Sequence, residues 1–254
     1  MILERLGQII LHGVEETGSI ILMFISVVSW AVRRPMKIGN IVKQMEFVGV
    51  RSIFVVLLVG LFTGMVMALQ GYHGFRMFGA ESMVGATVAL GMTRELGPVL
   101  TSLMVTARAG SAMAAEIGTM KVTEQVDALY VMAVNPIKYL IVPRVIASIL
   151  MVPLLSVISD FVGILGGYFV GVHILHINEG TFVKNITRLV DLNDIYNGLI
   201  KAACFGLILS LIGCYKGFNT RGGAEGVGKA TTEAVVLSSV TILVSDYFLT
   251  AIMF

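Results

Sequence analysis

The sequence predicts an all-α integral membrane protein, and three observations carry that reading. Only 13% of the 254 residues are charged and 56% are hydrophobic, whereas a soluble domain carries about 25% charged residues. Mean hydropathy is +0.89. The 28 glycines suit helices that pack closely inside a bilayer. The net charge of +2 is dispersed along the chain, which excludes the clustered basic face that nucleic acid requires. Cys204 and Cys214 share one apolar run and make no disulfide-stapled secreted scaffold. Glu4, Glu15 and Glu16 do not suit a cleavable signal peptide.

Each element follows from the apolar runs. Thr17 to Val32 is uncharged for 16 residues, or about 24 Å of helix against a hydrocarbon core about 30 Å thick. It is predicted to lie in the interface, with Leu3, Leu6 and Ile10 forming an apolar stripe ahead of it and Arg33, Arg34, Pro35 and Lys37 ending it. Ser52 to Leu69 is span one. Met83 to Ala115 is span two, interrupted by Arg94, Glu95 and Pro98, so it must bend, tilt or project. Val145 to Val172, Ile195 to Tyr215 and Ala234 to Phe254 are spans three to five. Residues 1–47 form the interfacial region and 48–254 the transmembrane domain. With five spans, twelve Lys and Arg fall on one side and five on the other. The richer side is cytoplasmic and the carboxy terminus is outside.

Several motifs admit more than one reading. Gly223, Gly228 and Lys229 match a phosphate-loop skeleton, but Ala230 replaces the magnesium-binding hydroxyl and no strand precedes it. The segment reads instead as a loop into a helix capped by Thr231 or Thr232. His173, His176 and Glu179 are interfacial residues or a metal set, and no metal is assigned. Gly163, Gly167 and Gly171, with Gly60 and Gly64, mark close packing within one chain or between two copies. Asp160 and Asp246 sit in apolar runs and need a structural hydrogen bond or a proton-relay role. No nucleophile with its base and no paired-carboxylate site is present, so no catalytic residue is assigned. Val122, Val126, Leu129 and Ala133 share a helical face in a cytoplasmic segment that Thr123 caps and Asn135-Pro136 ends. With Glu124 and Asp127 in its first turn, this segment is a candidate docking peg.

Glu95-Leu96-Gly97-Pro98, then Ala107-Arg108-Ala109-Gly110-Ser111-Ala112 and Ala115-Glu116-Ile117-Gly118-Thr119-Met120, resemble the MlaE family of ABC-transporter permeases. Thr123-Glu124-Gln125, Met132-Ala133-Val134-Asn135-Pro136, Pro143-Arg144, Leu69-Gln70-Gly71-Tyr72, Gly166-Gly167 and Lys229-Ala230-Thr231-Thr232 extend the likeness over roughly residues 48 to 254. It is weakest in residues 1–47 and 173–194. The resemblance implies an MlaE-type fold with an interfacial amino-terminal helix and five spans. It implies a homodimer in the bacterial inner membrane, bound to a cytoplasmic ABC ATPase dimer and a periplasmic MCE-domain protein, in some systems with a STAS-domain subunit. Phospholipid, or a sterol in some relatives, is the implied cargo. ATP and magnesium would then belong to the ATPase, and this chain would bind no cofactor.

The resemblance also implies that Glu116, Met120, Thr123, Glu124, Asp127, Leu129, Met132 and Pro136 couple the chain to its ATPase. Val126, Leu129 and Met132 are expected to fill a groove there. Arg94 and Glu95 are neighbours that cannot face each other on a helix, so at least one needs a partner elsewhere, in a polar cavity between subunits or in an intersubunit salt bridge. Met65, Met67, Leu69, Tyr72, Phe75 and Phe78 offer a soft apolar lining for acyl chains. A stand-alone secondary transporter or channel, proton-driven through Asp160, Asp246 and Glu95, is the alternative, and a structural membrane anchor a third class.

Overall fold

The computed structural model describes residues 2–33 and 38–253, which are helical with no strand among them. Arg34, Pro35, Lys37 and the side chains of Leu3, Leu6 and Ile10 lie outside the described residues. The helices are α1 (Ile2–Val32), α2 (Ile38–Val48), α3 (Ile53–Arg76), α4 (Val84–Gly91), α5 (Gly97–Val105), α6 (Ser111–Val122), α7 (Gln125–Val131), α8 (Val142–Tyr168), α9 (Glu179–Leu189), α10 (Leu192–Phe218) and α11 (Gly223–Met253). Span two is therefore three helices, α4 to α6, joined by π-helical turns at Met92–Leu96 and Thr106–Gly110. Such turns widen the helix by one residue and occur mostly at functional sites.

Five stretches are long and apolar enough to cross a membrane: Gly13–Val32, Ile38–Arg76, Ile137–Ile174, Leu192–Phe218 and Gly223–Met253. The first belongs to the helix predicted to lie flat, because α1 runs through Glu15 and Glu16, where the uncharged run stops. Its contacts decide its placement. Glu16 pairs with Lys216 at the end of α10 predicted to face the cytoplasm, and Trp30 lies 5.6 Å from the ammonium of Lys138 just ahead of α8. These two contacts, about 21 Å apart along α1, both fall at the same end of the bundle. So α1 crosses the ends of the spans and does not run alongside one. Span two replaces it in the count of crossings.

Close approach is set by glycine. A Cβ on Gly64 would lie 1.8 Å from the carbonyl oxygen of Gly163, and one on Gly167 would lie 3.2 Å from that of Gly64. The glycine motifs of spans one and three thus pack α3 on α8 within one chain, while Gly171 receives the Phe182 ring of α9. A second stripe along α10, with Gly213 against Gly110 and Gly217 against Ala114, seats span two and was not singled out in the sequence. Two apolar clusters result. One, with Val105, Met113, Ile117, Phe205 and Leu209, fills the middle and the part predicted to be cytoplasmic. The other, with Ala68, Val88, Met92, Val170 and Phe182, fills the outer part.

The turn into α11 ends at Gly222 and Gly223, both at positive φ. Gly228 and Lys229 already lie within α11, and Thr231 and Thr232 bond carbonyls one turn back and cap nothing. The phosphate-loop skeleton is therefore helix. The topology predicts that single cysteines replacing Lys121, in the last turn of α6, and Glu179, at the start of α9, label from opposite faces of intact cells; labelling from one face refutes it.

Candidate functional site

Where the outer and inner apolar clusters meet, span two opens. Pro98 has no amide hydrogen for the carbonyl of Arg94, and that carbonyl instead accepts a hydrogen bond from Lys201 Nζ at 3.2 Å. The same ammonium lies 2.7 Å from Glu95 Oε2 and 3.3 Å from Asp246 Oδ1, and it donates to Thr250 Oγ1 at 2.7 Å. Thr250 in turn donates to the Asp246 carbonyl at 2.8 Å. Arg94 Nε lies 2.8 Å from Asp194 Oδ1. Asp194 is held in place because its other oxygen accepts from the Asp191 amide, at 3.0 Å, in the capping box that starts α10.

Five ionic groups from span two, α10 and α11 therefore meet, two cations with three carboxylates. Lys201 is wholly buried, whereas Arg94 and Glu95 keep 38% and 35% of their side chains exposed. A charge in a bilayer is tolerated where it faces protein and finds partners. Both members of the Arg94-Glu95 pair find them inside their own chain, on α10 and α11, and neither needs a second subunit for a counter-charge. Sequence reading left Asp246 without a counter-charge and singled out neither Asp194 nor Lys201 as partners. Their signal was depth: Arg94, Lys201 and Asp246 are all a few turns from the outer ends of their spans. Asp160 belongs beside this break. Its Oδ1 is buried without a hydrogen-bond partner among the described residues, and only a glycine at 97 leaves it room, since a Cβ there would lie 1.6 Å away.

Outward of the ionic cluster, Met65, Met67, Tyr72 and Phe75 pack half-buried on the outer apolar cluster, and Met67 Cε lies over Gly91 just before the π turn. Leu69 and Phe78 are exposed. The proposed lining is thus a mixed surface, four residues in contact with span two and its neighbours and two turned outward.

The segment predicted to be cytoplasmic differs from expectation in three ways. Its helix is only Gln125–Val131, entered through Glu124 in the left-handed region at φ 61°, and Thr123 bonds back to the Thr119 carbonyl and does not cap it. Val126 is fully buried and Leu129 packs on this chain's own core, so neither is offered to a groove on another protein. Tyr130, Val131 and Met132 are exposed and form the apolar tip. The helix ends in a Schellman turn, Val134 N to Leu129 O at 2.9 Å and Ala133 N to Tyr130 O at 3.0 Å, with Ala133 at φ 55°. Asn135 then accepts from the amides of Ile137 and Lys138, at 2.9 and 3.2 Å, and so starts the next helix with buried Pro136 in its first turn. Asn-Pro was read as a stop because the pair serves both purposes.

Charge pairs brace the segment's roots. Asp127 is 2.8 Å from Lys121. Glu116 is 2.8 Å from Arg144, whose side chain is 4% exposed and also donates to the Leu140 carbonyl at 2.7 Å. Met120 packs half-buried on the inner core, and Glu124 is exposed.

These features define a multi-pass membrane protein, largely helical over its described residues, with a charged break in one span and an exposed apolar tip between two others. The chain belongs to the MlaE permease family, whose profile, described as Permease MlaE, matches residues 41–252. It is 46% identical over 253 residues to a probable ABC transporter permease protein of Rickettsia felis, covering 100% of this chain and 98% of the relative. It is 45% identical over 215 residues to the intermembrane phospholipid transport system permease protein MlaE of Haemophilus influenzae, covering 84% and 82%. It is 41% identical over 215 residues to the chloroplastic protein TRIGALACTOSYLDIACYLGLYCEROL 1 of Arabidopsis thaliana, covering 85% and 61%.

Proposed function

We propose that the chain is the permease of an ABC transporter that moves phospholipid between the bacterial inner membrane and a periplasmic MCE-domain protein. Two copies form the membrane unit, and an ATPase dimer on the cytoplasmic side binds ATP and magnesium. The carboxy terminus is periplasmic. The observation that carries the reading is the ionic break of span two, placed beside the methionine-rich face of α3 and leaving the edges of Arg94 and Glu95 exposed. An exposed guanidinium edge suits a lipid phosphate, and flexible thioethers suit acyl chains of varied shape. The carboxylates of Glu95 and Asp246 flank one buried ammonium, which favours a fixed polar lining over a string of free proton carriers.

Photo-crosslinkers at Met67 and Tyr72 are expected to capture phospholipid in the assembled complex well above the level captured at Val240, an exposed position on α11. Equal capture at all three positions means bulk lipid and refutes the path. Transport by the chain alone in liposomes, with no co-purifying ATPase, would establish the secondary transporter instead.

Coupling is assigned to the exposed tip. Val131→Asp with Met132→Asp is expected to weaken ATPase binding at least about thirtyfold, the equivalent of losing about 2 kcal/mol at a buried anchor. Co-purification titrations measure it. Undiminished ATPase binding and lipid transport in this variant would remove the tip from the interface. Leu129→Asp is a poorer probe because it also disturbs this chain's core.

A further inference from the structure

A cavity of about 390 Å³ opens at the cytoplasmic end of the bundle, far from the ionic break, lined by Trp30, Ile41, Val134, Asn135, Lys138 and Tyr139 among others. Its size lies within the range of small-molecule sites, about 300–1,000 Å³. Four segments build it: the end of α1, the start of α2, the strand of chain leaving α7 and the first turns toward α8. Its walls are mostly apolar, Lys138 is the cation among the described lining residues, and Arg33 stands beside the lining Trp30. The guanidinium of Arg33 lies 4.9 Å from the centre of the Trp30 ring and the ammonium of Lys138 lies 5.6 Å from it. Among the described residues the lining holds a lysine and two asparagines but no carboxylate. Asn135 spends its side-chain oxygen on two backbone amides, which leaves its NH2 group as the donor.

The depth of the cavity is also informative. Trp30, the chain's one tryptophan, belongs to the residue type that sits at headgroup level. It lies on the helix that crosses the cytoplasmic ends of the spans, and Val32, Ile38 and Val42 beside it expose apolar surface. An apolar hollow at headgroup depth, with Lys138 in its lining, Arg33 beside it and no acid among the described lining residues, matches one class of occupant. We infer that this cavity binds one anionic phospholipid of the cytoplasmic leaflet, its phosphate on the lining Lys138 with Arg33 adding positive charge beside Trp30, and its glycerol and upper acyl region against Ile41, Val134 and Tyr139. The site is separate from the transport path. Because Ala133, Val134 and Asn135 form one wall, the bound lipid braces the turn that ends α7 and ties the cytoplasmic tip to the composition of the inner leaflet.

The test places a photo-crosslinking residue at Tyr139 of the full chain, with whatever subunits co-purify, in phosphatidylcholine nanodiscs containing phosphatidylglycerol as the minority lipid. Adducts are identified by mass spectrometry. One basic residue near a membrane surface gives about a fivefold preference for anionic lipid, so phosphatidylglycerol adducts are expected at least about fivefold above its share of the bilayer. Arg33→Gln with Lys138→Gln should abolish the enrichment, Lys138→Arg should retain it, and a crosslinker at Val240 should report the bulk ratio. All variants are compared at equal yield of the assembled species. Adducts that mirror the bilayer, enrichment that survives the double neutralisation, or capture of an ATPase peptide in place of lipid would each overturn the inference. Crosslinking at Met67 and Tyr72 tests the transport path independently, so failure at one site is distinguishable from failure at the other.

Discussion

Replacing Lys201 by methionine is expected to destabilise the protein by roughly 3–5 kcal/mol, the cost of removing one partner from a buried ion pair. The lysine is wholly buried and holds Glu95, Asp246, Thr250 and the orphaned carbonyl of Arg94 together. Without it, two carboxylates face each other across an apolar bundle with no counter-charge. A matched triple variant, Lys201→Met with Glu95→Gln and Asp246→Asn, removes the charges together and is expected to recover most of the stability. Thermal unfolding in detergent, read by the loss of the monodisperse species on size exclusion, measures both. If Lys201→Met melts as the parent does, or if the triple variant is the least stable, the cluster does not hold these helices together. Glu95→Gln alone should cost less, because Lys201 keeps Asp246 and Thr250.

The second large effect is expected from a single methyl group. In Gly64→Ala the new carbon would lie 1.8 Å from the Gly163 oxygen, 2.5 Å from its carbonyl carbon and 2.8 Å from its Cα. All three are backbone atoms, so no rotamer relieves the contact and α3 must move away from α8. Overpacking of this kind costs about 1–3 kcal/mol, and Gly64→Leu should abolish the assembled protein. Gly228→Ala is the control. Nothing lies within 4 Å of its Cβ position, and a helix gains up to about 1 kcal/mol when glycine becomes alanine. Folded yield and melting temperature should therefore fall in the first variant and hold or rise in the control. The reverse order would mean that α3 and α8 do not meet at Gly64.

Much of this architecture was legible along the chain, because each span must satisfy its own backbone and be apolar over a bilayer's thickness. Four long runs, the break in span two at Arg94, Glu95 and Pro98, and the interfacial path of the first helix all follow from local composition. The amphipathic peg did not survive in detail. Val126 and Leu129 have the spacing of an apolar face, but periodicity does not say whether such a face meets another protein or its own core, and here it meets its own. Glycine spacing likewise announced close packing without naming the partner. The match of Gly60 and Gly64 to Ser159, Gly163 and Gly167 appears only when α3 and α8 are set side by side. The ionic cluster was the least legible feature. Arg94, Asp194, Lys201 and Asp246 are spread over more than half the chain, and each alone is merely a costly charge in or beside an apolar run. Their pairing depends on the depth at which three helices bring them together, and depth and facing are properties of the packed bundle that local composition does not encode.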